Sequence, residues 1–147
     1  LLFFTRYTLL YGGEEALLIR LADAFRDPVY PLSLGREDEL LCVEDVVLGE
    51  AAGGEPRFKG TVLPGDVRQM AGLRPVLREG AVFEPPVVEM LPLGFTVDAR
   101  GVRSPEPPVP LSFLPFGVEL EVPGVPAWWW GERGFTWLNF SPSRIPG

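Results

Sequence analysis

The chain has 147 residues, with 17 glycines, 17 prolines, one cysteine, no histidine and a net charge of −7. Leu, Val, Ile and Phe make up a third of it, enough for a packed core in one domain or a domain with a small appendage, while so much Gly and Pro excludes a mainly helical fold. An internal disulfide, His-ligated metal sites and every His-based acid–base or nucleophilic mechanism are excluded as well.

No run approaches the ~18 apolar residues of a spanning helix, so the sequence predicts no membrane association and a cytoplasmic location. The opening Leu1-Leu2-Phe3-Phe4 is too short for a signal peptide. It lacks a starting Met and begins inside an apolar run, the pattern expected of a fragment or of a chain whose remainder is a separate segment. The basic residues are twelve Arg and one Lys, Lys59. The negative balance argues against nucleic acid in general, since phosphate binding needs a positive surface, yet Arg is the better fork for phosphates and carboxylates.

In chain order, Phe3–Tyr11 is aromatic and β-branched and predicts a strand, broken by Gly12-Gly13. Glu14–Arg26 predicts a helix with Leu17, Leu18, Leu21, Ala24 and Phe25 on its apolar face. Its acidic start and basic end suit the helix dipole, and Asp27-Pro28 stops it. Val29–Leu34 is extended, with a turn at Gly35. Leu40–Leu48 predicts a strand, residues 49–56 a flexible connection, and Arg57–Leu63 a returning strand.

Beyond residue 50, where fifteen of the seventeen prolines lie, short apolar pieces alternate with turns. Strands are predicted at Pro75–Leu77, Val87–Leu91, Phe95–Val97, Leu111–Phe113, Val118–Val122 and Phe135–Phe140, and an extended loop at Ser104–Pro110. Proline belongs at strand edges and bulges. The expected fold is α+β, in two parts: a strand–helix–strand portion over residues 1–50 and a β-rich, proline-rich portion over 51–147. A strand–helix–strand order is also the second half of a ferredoxin-like (RRM-like) unit.

Gly12-Gly13-Glu14-Glu15 matches no phosphate-loop pattern, and its two carboxylates would repel a phosphate. Gly35-Arg36 is sharper, because glycine permits a tight bend and Arg36 offers a fork of donors at its tip. The alternative is a surface arginine paired with Glu37 or Asp38. Arg68, Arg74 and Arg78 form a second basic group, and Arg100 and Arg103 flank Gly101. With neighbouring aromatics these suit an RNA backbone and its bases, or they are scattered surface arginines.

Trp128-Trp129-Trp130 cannot all enter one core if it is a strand, because alternate side chains face opposite sides. It therefore predicts a protein contact, or a turn packed on both faces of a thin β layer. Catalytic groups are scarce: Tyr7, Tyr11 or Tyr30 with Lys59 is the sole Tyr/Lys combination, and no carboxylate pair stands out by spacing. The sequence predicts no enzyme activity, no cofactor and no metal.

Residues 6–11, the helix, and the run Asp27-Pro28-Val29-Tyr30-Pro31-Leu32-Ser33-Leu34-Gly35-Arg36 resemble Cas family five of the CRISPR-associated proteins, members of the RAMP superfamily. The resemblance is firm over residues 6–48. It continues loosely through Leu63-Pro64-Gly65-Asp66, Leu91-Pro92 and Ser112-Phe113. It implies the second half of a ferredoxin-like RAMP domain, without the family's N-terminal half, followed by a β-rich C-terminal portion. It also implies a non-catalytic subunit of a type I interference complex (Cascade), acting in antiviral defence by gripping the 5′ handle of CRISPR RNA. The backbone RAMP subunit and the large subunit would be its partners. Carried over by position, Gly35 and Arg36 become handle contacts. Read from the residues themselves, Arg68, Arg74, Arg100 and Arg103 are further candidate RNA contacts, and Trp128, Trp129 and Trp130 a candidate protein interface. The acidic Glu37-Asp38-Glu39 confines any contact at Arg36 to a narrow patch. Some relatives cleave precursor RNA with Tyr, Lys and His; a chain without histidine is not expected to use that scheme. Two alternatives stay open: a precursor-RNA endoribonuclease of the same superfamily, and a β-rich interaction module unrelated to RNA.

Overall fold

Local charge and one proline decide where the α-helix found among the described residues begins and ends. A computed structural model describes residues 6–33, 40–76 and 82–138. Helix α1 runs Glu15–Arg26, with Glu15 in its first turn and Arg26 in its last. Leu18 N–H donates to the Glu14 carbonyl at 2.9 Å, and Asp27 N–H closes the end on Asp23 at 3.1 Å. Pro28 then forbids another turn. The buried stripe differs from the expected face. Ala22 is buried, and Leu18, Leu21 and Phe25 are half-buried, whereas Leu17 and Ala24 are exposed. Residues 18, 21, 22 and 25 follow i, i+3, i+4, i+7, and 17 and 24 lie roughly a quarter-turn to one side.

The chain divides into two compact units, one ending at Glu50 and one beginning at Ala51. In the first, α1 is followed by the antiparallel pair β1 (Leu32–Ser33) and β2 (Leu40–Leu41), with Leu32 opposite Leu41. Two expected strands are corrected here. Residues 6–11 form no strand, and the expected strand over 40–48 is reduced to Leu40–Leu41. β-propensity makes a strand only where a neighbour supplies the ladder. Other contacts take its place. The Arg26 guanidinium donates to the Val46 carbonyl at 3.1 Å, Arg6 pairs with Glu44 at 3.2 Å, and the Tyr11 and Phe25 rings lie 5.8 Å apart.

The second unit contains β3 (Ala52–Gly53), β4 (Arg57–Phe58), β5 (Val62–Pro64), a 3₁₀ turn (Val67–Gln69), β6 (Arg74–Val76), β7 (Val87–Leu91), β8 (Phe95–Val97), β9 (Arg103–Pro105), β10 (Val109–Phe113), β11 (Glu119–Glu121), β12 (Trp128–Trp130) and β13 (Arg133–Phe135). All pairing is antiparallel, in the orders β5-β10-β7, β4-β11-β6, β13-β12-β3 and the hairpin β8-β9. The strand expected over 57–63 is split. Gly60 adopts φ +58° and donates its N–H to the Pro115 carbonyl, and the Phe116 ring lies against it. The chain turns there, so β4 joins β11 and β5 joins β10. Ser104–Pro110, expected as a loop, has strand at both ends; of the final expected strand, Phe135 is in β13, residues 136–138 are not strand, and Asn139 and Phe140 lie outside the described residues.

Phe58, Leu63, Val67, Leu114, Val118, Leu120, Val122, Val125 and Ala127 form the core, with Met70 and Leu73 against it. The prolines follow edge logic with one exception. Pro64 and Pro75 lie on the outer strands of their sheets, but Pro110 is in the central strand β10. Register sets Pro110 opposite Gly65, whose N–H donates to the Pro110 carbonyl at 2.8 Å. The return bond cannot form because proline has no N–H. The Ser112 hydroxyl replaces it, donating to the Gly65 carbonyl at 2.7 Å and accepting Val67 N–H at 3.0 Å. A fully buried polar side chain thereby repairs the ladder and anchors the 3₁₀ turn.

Candidate nucleic-acid interface

Gly35 and Arg36, the sharpest sequence candidates, lie outside the described residues, as does Arg78. The remaining arginines divide by what they face. Arg68 follows the Asp66 cap of the 3₁₀ turn. Its Nε and one terminal nitrogen each donate to the Asp66 carboxylate at 2.8 Å, which also accepts Arg68 N–H and the Gln69 amide. The Arg68 fork holds the Asp66 carboxyl down to about 2, helped by the Arg68 N–H and the Gln69 amide against the opposing effect of desolvation. Arg68 is thereby committed to the turn.

Arg74 pairs across the sheet with Glu121 at 3.2 Å. Register places Arg57 on the other side of Glu121, and Arg57 pairs with Glu55 at 3.2 Å. A cleft of about 160 Å³ is lined there by Glu55, Pro56, Arg57 and Glu121. Its two carboxylates leave little net attraction for an anion.

Arg100 and Arg103 are brought together on the β8–β9 hairpin. Among the described residues no carboxylate pairs with either side chain; Arg20, on α1, and Lys59, between β4 and β5, share that state but stand apart from other such cations in the sequence. The hairpin tip is built by Asp98, whose carboxylate accepts the N–H of Arg100 at 2.9 Å and of Val102 at 2.8 Å. Gly101, at φ +78°, donates its N–H to the Asp98 carbonyl. This is the three-residue hairpin loop that needs a left-handed residue after its turn. Register pairs Val97 with Arg103 and Phe95 with Pro105, so these four share one face and Thr96 and Ser104 the other. Phe95 is 53% exposed. Sequence reasoning did not single it out; the signal was the Phe95-Thr96-Val97 alternation just ahead of the four-residue turn from Asp98 to Gly101.

The tryptophan run is strand β12. Trp129 donates its indole N–H to the Glu55 carbonyl at 3.0 Å, and its ring covers Gly54 and abuts Gly134. It packs within the sheet. Trp128 and Trp130 face the other side, Trp128 being 37% exposed and Trp130 half-buried opposite Arg133. Trp128 is the ring left for a contact.

Among the described residues there is no group of three or more carboxylate or thiolate side chains placed to hold a metal ion, and no helix long and apolar enough to cross a membrane. The fold is thus α+β in outline, one helix with small antiparallel sheets, bearing a hairpin with two unneutralised guanidinium groups. No family model, no curated protein and no solved structure matches the chain.

Proposed function

We propose that the chain is a non-catalytic, RNA-binding subunit of a CRISPR type I interference complex and holds the 5′ handle of CRISPR RNA. The observation that carries this reading is the run Asp27–Arg36, which follows a helix ending at Arg26 and leads through strand Leu32–Ser33 into Gly35-Arg36. Support also comes from Arg100 and Arg103, which stay free of carboxylates while Arg68 and Arg74 do not. In this reading the first unit is the second half of a ferredoxin-like RAMP domain, and the unit from Ala51 is its β-rich C-terminal portion. Trp128 and the exposed apolar residues of the first unit, Val29 and Tyr30 among them, meet the backbone RAMP subunit and the large subunit. The complex works in the cytoplasm.

The mechanism is electrostatic and geometric. Guanidinium forks grip phosphates, and the acidic remainder of the surface disfavours RNA elsewhere, so binding stays local. The test incubates the full chain with CRISPR repeat RNA in chelator and follows both binding and chain length. Binding without cleavage is expected, with roughly ten-fold or greater weakening by Arg36→Ala, as for a charged hydrogen bond. Specific cleavage would make the chain a precursor-RNA endoribonuclease. Absence of binding would remove RNA from its function.

A further inference from the structure

The β8–β9 hairpin has a composition that selects among kinds of RNA. We infer that it is a binding arm for single-stranded RNA, taking a base on the Phe95 ring and the adjoining phosphates on Arg103 and Arg100; this rests on the RNA-binding reading above. Phe95 and Arg103 occupy diagonal positions on one face of the hairpin, a spacing of roughly 7–8 Å between backbone positions. One nucleotide can lay its base on the ring while its phosphate reaches the fork. Val97 and Pro105 fill the rest of that face with apolar surface, and Arg100 extends the cationic line to the tip. The Asp98 carboxylate is turned into the amides of Arg100 and Val102, which fixes the tip before any ligand arrives. Glu106 is held at the opposite end, beside Gly94.

Charge decides against a duplex. Duplex binding without base readout draws its affinity from many neutralised phosphates. This arm offers two guanidinium groups in a chain of net charge −7. With so few phosphate contacts, affinity must come from stacking, and stacking needs an unpaired, splayed base. An exposed aromatic ring beside an unpaired arginine suits that ligand, and it gains nothing from a base already stacked in a helix.

Fluorescence anisotropy on the full chain tests this with three probes: repeat RNA, oligo(U), and oligo(U) annealed to oligo(A). The chain is expected to bind oligo(U) more tightly than the duplex. Phe95→Leu, which keeps an apolar side chain but removes the π face, is expected to weaken oligo(U) binding by roughly ten-fold or more, and Phe95→Trp to retain it. The double variant Arg100→Ala/Arg103→Ala is expected to flatten the plot of log affinity against log salt by about 1.4, the single-strand value for two phosphates. If the chain binds repeat RNA but prefers the duplex probe, ignores oligo(U), or is indifferent to these variants, the hairpin inference is overturned and the RNA-binding reading survives. If it binds none of the probes, both fall.

Discussion

The two units of the chain keep their shape by different means. Beyond Ala51, nine apolar residues from several strands and connections are buried in one cluster. In the unit ending at Glu50, Ala22 is the one buried residue among those described, and Tyr7, Leu9, Leu17, Val29, Tyr30 and Leu40 are exposed. Besides the helix and the β1–β2 pair, that unit is joined by an arginine-to-carbonyl bond, two surface ion pairs and a ring contact among other polar contacts, each of which contributes little in water. The difference teaches where stability resides. Hydrophobic burial scales with area removed from water, so folding free energy is concentrated in the unit that carries the hairpin. The unit that carries the Asp27–Arg36 run contributes little.

The largest effect that would break this comparison comes from the core. Phe58 is 1% exposed, in the strand that pairs with β11. Phe58→Ala removes a ring from a packed cluster, and about 3–5 kcal/mol of stability is expected to go with it. Urea denaturation followed by tryptophan fluorescence measures this directly, since all four tryptophans lie beyond Ala51. A loss under about 1 kcal/mol would mean that the cluster does not hold the second unit together.

Ser112→Ala sharpens the same point from the polar side. The variant leaves the Gly65 carbonyl without a donor and Val67 N–H without an acceptor, in a place sealed from water. A cost of about 1–3 kcal/mol is expected. The companion Pro110→Ala restores an N–H facing Gly65. Combined with Ser112→Ala, it is expected to recover part of the loss; an additive double variant would show that the hydroxyl is not standing in for the missing amide.

How far this was legible in the sequence depends on range. The helix was legible because its signals are local: two acids ahead, Arg26 at the end, Asp27-Pro28 beyond. Its buried stripe was misplaced because Leu17 and Ala24 are as apolar as their neighbours, and only packing decides between adjacent faces. Strands Val87–Leu91 and Phe95–Val97 were legible from residue type. The expected strands at residues 6–11 and 42–48 failed because pairing is a property of the neighbour. The same rule governs the site. That Asp66 lies two residues from Arg68 can be read directly, but the Glu121 that neutralises Arg74 is 47 positions away. The Gly54 and Glu55 that receive the Trp129 ring and its N–H are likewise distant, so no spacing showed that this ring was committed to the sheet.

A smaller effect depends on pH. Asp66 is held near 2 against an ordinary value of 3.8, chiefly by the Arg68 fork. A carboxyl whose folded pKa lies below its unfolded one stabilises the fold in full above the unfolded value, and it loses that contribution as pH falls through the folded value. The urea midpoint is therefore expected to decline between pH 3.8 and about 2. Asp66→Asn, less stable at neutral pH, is expected to decline less across that window. Parallel curves for the two proteins would show that Asp66 does not link the 3₁₀ turn to protonation.

The smallest expected effect tests the other side of the comparison. Leu17 is 58% exposed on α1, off the stripe that Ala22 centres, so Leu17→Ala removes little area from a buried setting. Alanine is also the better helix former. Stability is expected to stay within about 0.5 kcal/mol of the parent, as for surface sites without special contacts. The same truncation at Phe58 removes a side chain enclosed on all sides. If Leu17→Ala instead costs more than about 1 kcal/mol, that flank of the helix is covered in solution, and the first unit has a packing surface that its exposed leucines and tyrosines do not reveal. The contrast between the units would then be one of which surface each packs on, and no longer one of how much each buries.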